Sequence, residues 1–144
     1  MLIDDVPRVM EIESEAYAHP WTEGIFQDCI RVGYSCWVYE IETQIQAYAL
    51  ISIAANEAHI LNICVAKQYQ GQGFGKKLLY KILDVAEQSD VDSVFLEVRS
   101  SNTVAIQLYE QEGFNRIGLR KAYYPADEGR EDAIVFARAL NIKD

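Results

Sequence analysis

The stretch Gln70-Gly71-Gln72-Gly73-Phe74-Gly75-Lys76 decides how this chain is read. It lies between an apolar run at residues 60–66 and a helical pattern over residues 76–87. Glycines at alternate positions, where an extended segment turns into a helix, let backbone amides come close to a ligand. The helix start adds unpaired N–H groups and a partial positive charge, so a phosphate is the natural guest. Two nucleotide motifs fail on spacing. A dinucleotide fingerprint needs glycine where Lys76 stands, and a Walker A loop needs glycine in place of Gln70 and Ser or Thr in place of Lys77. Taken alone, the glycines also fit a plain flexible turn between strand and helix.

Working outward, residues 58–65 read as the strand that enters this loop. Leu78, Leu79, Ile82, Leu83 and Ala86 share one face of the helix that leaves it. Upstream, Val6, Val9, Met10, Glu13, Ala16 and Tyr17 keep helical spacing, with Pro7 suited to a first turn. A second helix starts at Thr22 as N-cap, with Trp21 and Phe26 at the two positions of a hydrophobic staple. Its apolar face continues through Cys29 and Ile30. Residues 35–41 and 45–53 read as strands joined by the polar turn Glu42-Thr43-Gln44.

Downstream, residues 93–98 form a compact strand, and Ser101 or Asn102 caps a helix that Gly113 ends. Residues 114–124 and 133–139 close the chain as strands, around a polar loop at 125–131. Early hairpins give way to strand–helix–strand crossovers. The expected fold is therefore α/β (α+β mixed), a central mixed, mostly antiparallel sheet flanked by helices. Residues 1–144 are expected to form a single domain.

Composition narrows the function. The net charge of −9 argues against a nucleic-acid surface and favours either a basic partner or simple solubility. No apolar run reaches the ~20 residues of a membrane span, and the first residues lack a basic leader, so a cytoplasmic location is expected. Cys29, Cys36 and Cys64 sit in apolar contexts without metal spacing and read as buried, reduced side chains. His19 and His59 are isolated in sequence, so no metal site is expected.

Two polar groups are candidates for chemistry. Glu97 interrupts Val94-Phe95-Leu96-Glu97-Val98, where alternation puts it either on a solvated face or in a site. Tyr109, in the helix that follows, reads by itself as an amphipathic core tyrosine with its hydroxyl at the rim.

The segment 70–75 matches the Q/R-x-x-G-x-G/A signature of the GNAT superfamily of acyl-coenzyme A-dependent N-acetyltransferases. The block Leu96-Glu97-Val98-Arg99-Ser100-Ser101-Asn102, with Ala105-Ile106, Leu108-Tyr109 and Gly113-Phe114, resembles that superfamily's second half. Within it, the chain is most similar to the bacterial ribosomal-protein alanine N-acetyltransferases. The likeness is carried by Pro20-Trp21, Leu96-Glu97-Val98-Arg99, Ser101-Asn102, Tyr123-Tyr124-Pro125 and Glu131-Asp132-Ala133. It implies acetyl-CoA as co-substrate and the N-terminal alanine of a small-subunit ribosomal protein as acceptor. A lysine side chain or small amine, or a non-catalytic coenzyme A-binding role, are the alternatives.

The resemblance makes Glu97 the general base and Tyr109 the general acid. It assigns acetyl-CoA to Ile63, Cys64 and Val65, to Gly71, Gln72, Gly73, Phe74, Gly75 and Lys76, and to Asn102. Cys64 beside this site allows a covalent acetyl-cysteine step as a minor alternative. Tyr123-Tyr124-Pro125 with Glu131-Asp132 are expected to wall the acceptor pocket, or else to be an ordinary strand end with a solvated loop. Only four residues precede Asp5-Val6-Pro7, where relatives carry a fuller first strand, so a shortened edge strand or an upstream start is expected.

Overall fold

The computed structural model describes residues 1–140. A 3-10 turn at Ile3–Asp5 leads into α1 (Val6–Ala16) and α2 (Glu23–Arg31). Three strands follow, β1 (Ser35–Ile41), β2 (Gln44–Ala54) and β3 (Glu57–Val65). Then come α3 (Phe74–Gln88), β4 (Ser93–Arg99), α4 (Thr103–Gln111), β5 (Asn115–Pro125) and β6 (Arg130–Ala139). The strands form one sheet in the order β1-β2-β3-β4-β6-β5. Every neighbouring pair is antiparallel except β3 and β4, which run parallel. Among the described residues no strand precedes α1, and β1 is the edge on that side.

Alternation sends β2 side chains to both faces, and both faces are covered. Ala47, Ala49 and Ile51 join Ile60, Leu96 and Phe136 beneath the apolar stripe of α3, Leu78, Leu79, Ile82 and Ala86. Tyr48 and Leu50 face the other way, against Val6, Val9 and Ile12 of α1 and Phe26 and Cys29 of α2. Each helix thus spends its apolar stripe on one side of the sheet.

The local signals act as their chemistry requires. Thr22 Oγ1 accepts the Ile25 N–H at 3.3 Å, and the Trp21 and Phe26 rings meet at 5.1 Å as a staple. Asn102 caps α4 by accepting the Ala105 N–H at 3.2 Å. α3 begins at Phe74, two residues before the helical pattern in the sequence. Gly73, at φ +85°, is its N-cap, and the Phe74 ring packs against Tyr39 and Tyr69. All three cysteines are free; Cys29 and Cys64 are buried, while Cys36 is only half-buried on the edge strand.

Candidate active site

Parallel pairing of β3 with β4 covers only residues 57–60 against 93–96. Beyond it β3 runs on to Val65 and β4 to Arg99, no longer bonded to each other. A bulge contributes to the parting. The β2 register steps from Leu50↔Asn62 to Ile51↔Ile60, leaving Leu61 as the extra residue. A cleft of about 630 Å³ opens where the strands diverge. Ile63, Cys64, Val65, Gly71, Gly75, Asn102 and Tyr109 line it.

The register decides which backbone groups face this opening. Ala66 N–H donates to Gln46 O at 2.7 Å, so Tyr48 and Cys64 exchange bonds across the ladder. Ile63 and Val65 therefore turn their N–H groups away from β2, toward the side that β4 has left. Tyr17 agrees, since its hydroxyl reaches that side and donates to Ile63 O at 3.2 Å. The Cys64 backbone bonds inward to β2. Of the three consecutive residues expected to hold a ligand, only the first and third offer free backbone donors.

The glycine loop closes one end of the cleft. Gln70 Nε2 ties it to the strand end by donating to Val65 O at 2.9 Å. Gly71 and Gly73 hold φ of +76° and +85°, and nothing would crowd a Cβ at either, so backbone conformation alone calls for glycine there. A Cβ on Gly75 would stand 3.8 Å from Val65 and 3.9 Å from Leu108, narrowing the cleft wall. Gly73 supplies no side-chain cap, so the first turn of α3 presents its N–H groups outward. The Gln72 and Lys76 side chains are engaged elsewhere, Gln72 with Gln68 O at 3.2 Å and Lys76 with Glu112 at 3.6 Å. The Phe74 ring lies in the aromatic cluster, so its backbone amide is what it can offer a ligand.

Tyr109 projects from α4 with its ring against Phe114 and Phe136. Burial pushes its hydroxyl above the ordinary phenol range, so it keeps its proton at physiological pH. Cys64 is also buried, and burial pushes its thiol up to about 11. At pH 7 that leaves on the order of one thiolate in ten thousand, which argues against a cysteine nucleophile.

Glu97 does not line the cleft around Tyr109. Val94, Leu96 and Val98 face α3, so Glu97 lies on the opposite sheet face. Its side chain is only 9 % exposed and both its oxygens are engaged. Oε2 meets His59 Nε2 at 2.5 Å, and Oε1 meets Arg120 Nε at 3.4 Å. The His59 hydrogen bond, with the His59 and Arg120 charges, holds the carboxyl below its usual range against the opposing effect of burial. His59, isolated in the sequence, is thus the nearest partner of the candidate base. No local signal could have found it, because the pairing spans the β3–β4 crossover.

The expected acceptor wall is tied inward. Glu131 Oε2 accepts the Ser101 N–H at 2.7 Å, and Glu131 Oε1 meets Arg99 Nη1 at 3.2 Å. Arg99 also donates to Pro125 O at 2.8 Å and lies 4.6 Å from the Tyr124 ring centroid. Asp132 Oδ1 accepts the Ala122 N–H at 2.8 Å, at a bulge where Ala122 has φ +52°. Glu131 and Arg99 line the cleft while bracing the hairpin and the start of α4. Sequence reading also missed the loop after α1. Tyr17 and His19 line the cleft opposite, with His19 Nε2 3.3 Å from Asp127.

Among the described residues no group of three His, Cys, Asp or Glu side chains could hold a metal ion, and no helix is long and apolar enough to cross a membrane.

Comparison with known proteins agrees with this geometry. The sequence profile of the acetyltransferase (GNAT) family matches residues 6–114. The chain is 38% identical over 138 residues to the [ribosomal protein bS18]-alanine N-acetyltransferase of Escherichia coli K12, covering 96% of this chain and 93% of that one. It superposes on the crystal structure of the ribosomal-protein-S18-alanine N-acetyltransferase from Escherichia coli with a TM-score of 0.93 at 37% identity, over 100% of this chain and 93% of that one. Ard1 from Thermoplasma volcanium gives 0.90 at 25% identity, over 99% of this chain and 95% of that one. Strand divergence, glycine loop and 38% identity over nearly the full length converge, and the chain belongs to the acetyltransferase (GNAT) family as an N-acetyltransferase.

Proposed function

We propose that this chain acetylates the N-terminal alanine of a small-subunit ribosomal protein in the cytoplasm, with acetyl-CoA as donor. One observation carries the reading. The outward-facing amides of Ile63 and Val65, the glycine loop at the start of α3 and the Tyr109 side chain meet at one cleft. The likeness to the [ribosomal protein bS18]-alanine N-acetyltransferase of E. coli supports the choice of acceptor.

The residues present fit acetyl-CoA. The first-turn amides of α3, with those of Gly71, Gln72, Gly73, Phe74, Gly75 and Lys76, suit a pyrophosphate. The Ile63 and Val65 amides suit the pantetheine arm and the thioester carbonyl, where fixed donors oppose developing negative charge. Asn102 caps α4 at the edge of the same cleft.

An α-ammonium titrates near ~8 and cannot attack a thioester until it loses a proton. Glu97, on the sheet face beside the opening, takes that proton through water, because it does not itself line the cleft. Tyr109 donates toward the departing sulfur. A phenol raised by burial holds its proton more tightly than a thiolate of ordinary pKa, so its donated hydrogen bond does most of the stabilising. The amine attacks the thioester directly, with no acetyl-cysteine on the way.

The test is mass spectrometry of an alanine-initiated ribosomal peptide incubated with enzyme and acetyl-CoA. One acetyl group on the α-amine is expected, with far slower reaction at lysine side chains. If the α-amine stays free while lysines or small amines are acetylated, the acceptor assignment is wrong.

A further inference from the structure

The candidate base is not a free carboxylate. Glu97 is nearly enclosed, with His59 on one oxygen and Arg120 on the other. A proton that Glu97 takes from an ammonium must leave again before the next turnover. The Arg120 side cannot accept it, since a guanidinium does not deprotonate in proteins. His59 can. An imidazole carries one donor and one acceptor nitrogen and exchanges protons at both. Its side chain is 37% exposed against 9% for Glu97, so it bridges the enclosed carboxylate and bulk water. It stands on β3 opposite Phe95, within the last paired stretch before the strands part.

We propose that His59 is the exit relay for the proton that Glu97 removes from the acceptor amine, a positioning residue that acts through Glu97. The inference rests on the reading of Glu97 as base given above. An N–H bond of the ammonium breaks and an O–H bond forms on Glu97. In the resting pair His59 Nε2–H donates to the Glu97 carboxylate, which can only accept. Once Glu97 holds the proton, the exposed ring exchanges with solvent to its Nδ1–H tautomer, and the freed Nε2 lone pair takes the proton from Oε2, leaving a carboxylate beside an imidazolium. The imidazolium releases its Nδ1 proton to water, which restores the Nε2–H tautomer. No electron changes hands. Arg120 and Tyr124 of β5 also face Glu97, with Arg120 lowering its proton affinity and Glu97 in turn raising that of Tyr124. Ser52 of β2 is the register partner of His59.

The experiment measures steady-state acetylation of the alanine peptide by wild type, Glu97→Gln, His59→Ala and His59→Gln, with and without added imidazole. His59→Ala is expected to lose roughly ten-fold in kcat for the peptide, part of the 10²–10⁴-fold that general bases supply, while kcat/KM falls less because proton exit follows the chemical step. Its KM for acetyl-CoA should stay within about two-fold of wild type, and imidazole should restore activity in proportion to the free base added. His59→Gln keeps a donor for the carboxylate but cannot carry a proton, so it should be as slow as His59→Ala and show no more rescue than wild type. Wild-type rates in His59→Gln, or a slow His59→Ala that imidazole does not revive, overturn the relay while leaving Glu97 as base. Glu97→Gln as fast as wild type removes the base, and the relay falls with it.

Discussion

The molecule encloses two carboxylates on the same side of its sheet, and they are held in opposite ways. Glu13, on α1, is 2 % exposed and accepts from three neutral donors. Tyr48 Oη bonds it at 2.5 Å, Asn62 Nδ2 at 2.9 Å and the Trp21 N–H at 2.9 Å. Glu97 meets an imidazole and a guanidinium instead. Neutral donors satisfy a buried carboxylate without offering any route for a proton, and they pin three elements to one point. A partner ring partly open to solvent gives the second carboxylate, in the role proposed above, a route by which to take and shed a proton. On that proposal the chemistry of the partners, and not burial, separates scaffold from chemistry.

Four measurements would break or sharpen that contrast. The largest effect is expected from Glu97→Gln, a fall of roughly 10²–10⁴-fold in kcat/KM for the peptide, or ~3–5 kcal/mol of barrier, with only a modest fall in melting temperature at neutral pH. A nearly unchanged rate would put Glu97 with Glu13 among structural groups. Glu13→Ala should do the reverse. It strands the buried Tyr48 hydroxyl and two part-buried donors, so a loss on the order of 3 kcal/mol or more in denaturant unfolding is expected. Should its stability match wild type, the network is not the anchor described.

A smaller effect comes from pH. The Glu97 carboxyl is lowered in the folded chain, so its contribution to stability is complete above the ordinary glutamate value of about 4.3 and is lost as pH falls through the folded value. Glu97→Gln should flatten that acid limb in thermal melts, and identical limbs would contradict the ion pairing. Smallest of all, Cys64→Ala should keep kcat within a few-fold, because the thiol of Cys64 is pushed up to about 11 and is not a nucleophile at neutral pH. Abolished turnover in a folded Cys64→Ala protein would revive the covalent route.

Much of this was legible from the sequence where the cause is local. The Thr22 and Asn102 caps, the Trp21–Phe26 staple and the glycine loop each act within a few residues, and each stands where its residue types require. Alternation also set Glu97 on the face opposite Leu96 and left open whether that face is solvated; in the fold the side chain is nearly enclosed there. Long-range events were not legible. Glu13 reads as one more residue on an apolar helical stripe, and only the packing of α1 on β2 and β3 supplies Tyr48 and Asn62. The His59–Glu97 pair depends on the register of a parallel crossover. Glu131 and Asp132 read either as part of an acceptor wall or as an ordinary strand end, and the hydrogen bonds they make within the hairpin and to the start of α4 were not visible in either reading.

The short β3–β4 seam has a consequence for how the protein comes apart. β1, β2 and β3 form one antiparallel unit with long registers, and β4, β6 and β5 form another. Among the described residues, strand pairing joins them only at 57–60 and 93–96, with one further backbone bond from Asp92 N–H to Asn56 O. Sub-global opening follows the boundary of least bonding, so mild denaturant should separate the two halves before either melts. The Ile63 and Val65 amides belong to one half, Tyr109 and Asn102 to the other. Inactivation is therefore expected to precede loss of secondary structure, a gap that activity and far-UV circular dichroism followed on the same samples would reveal.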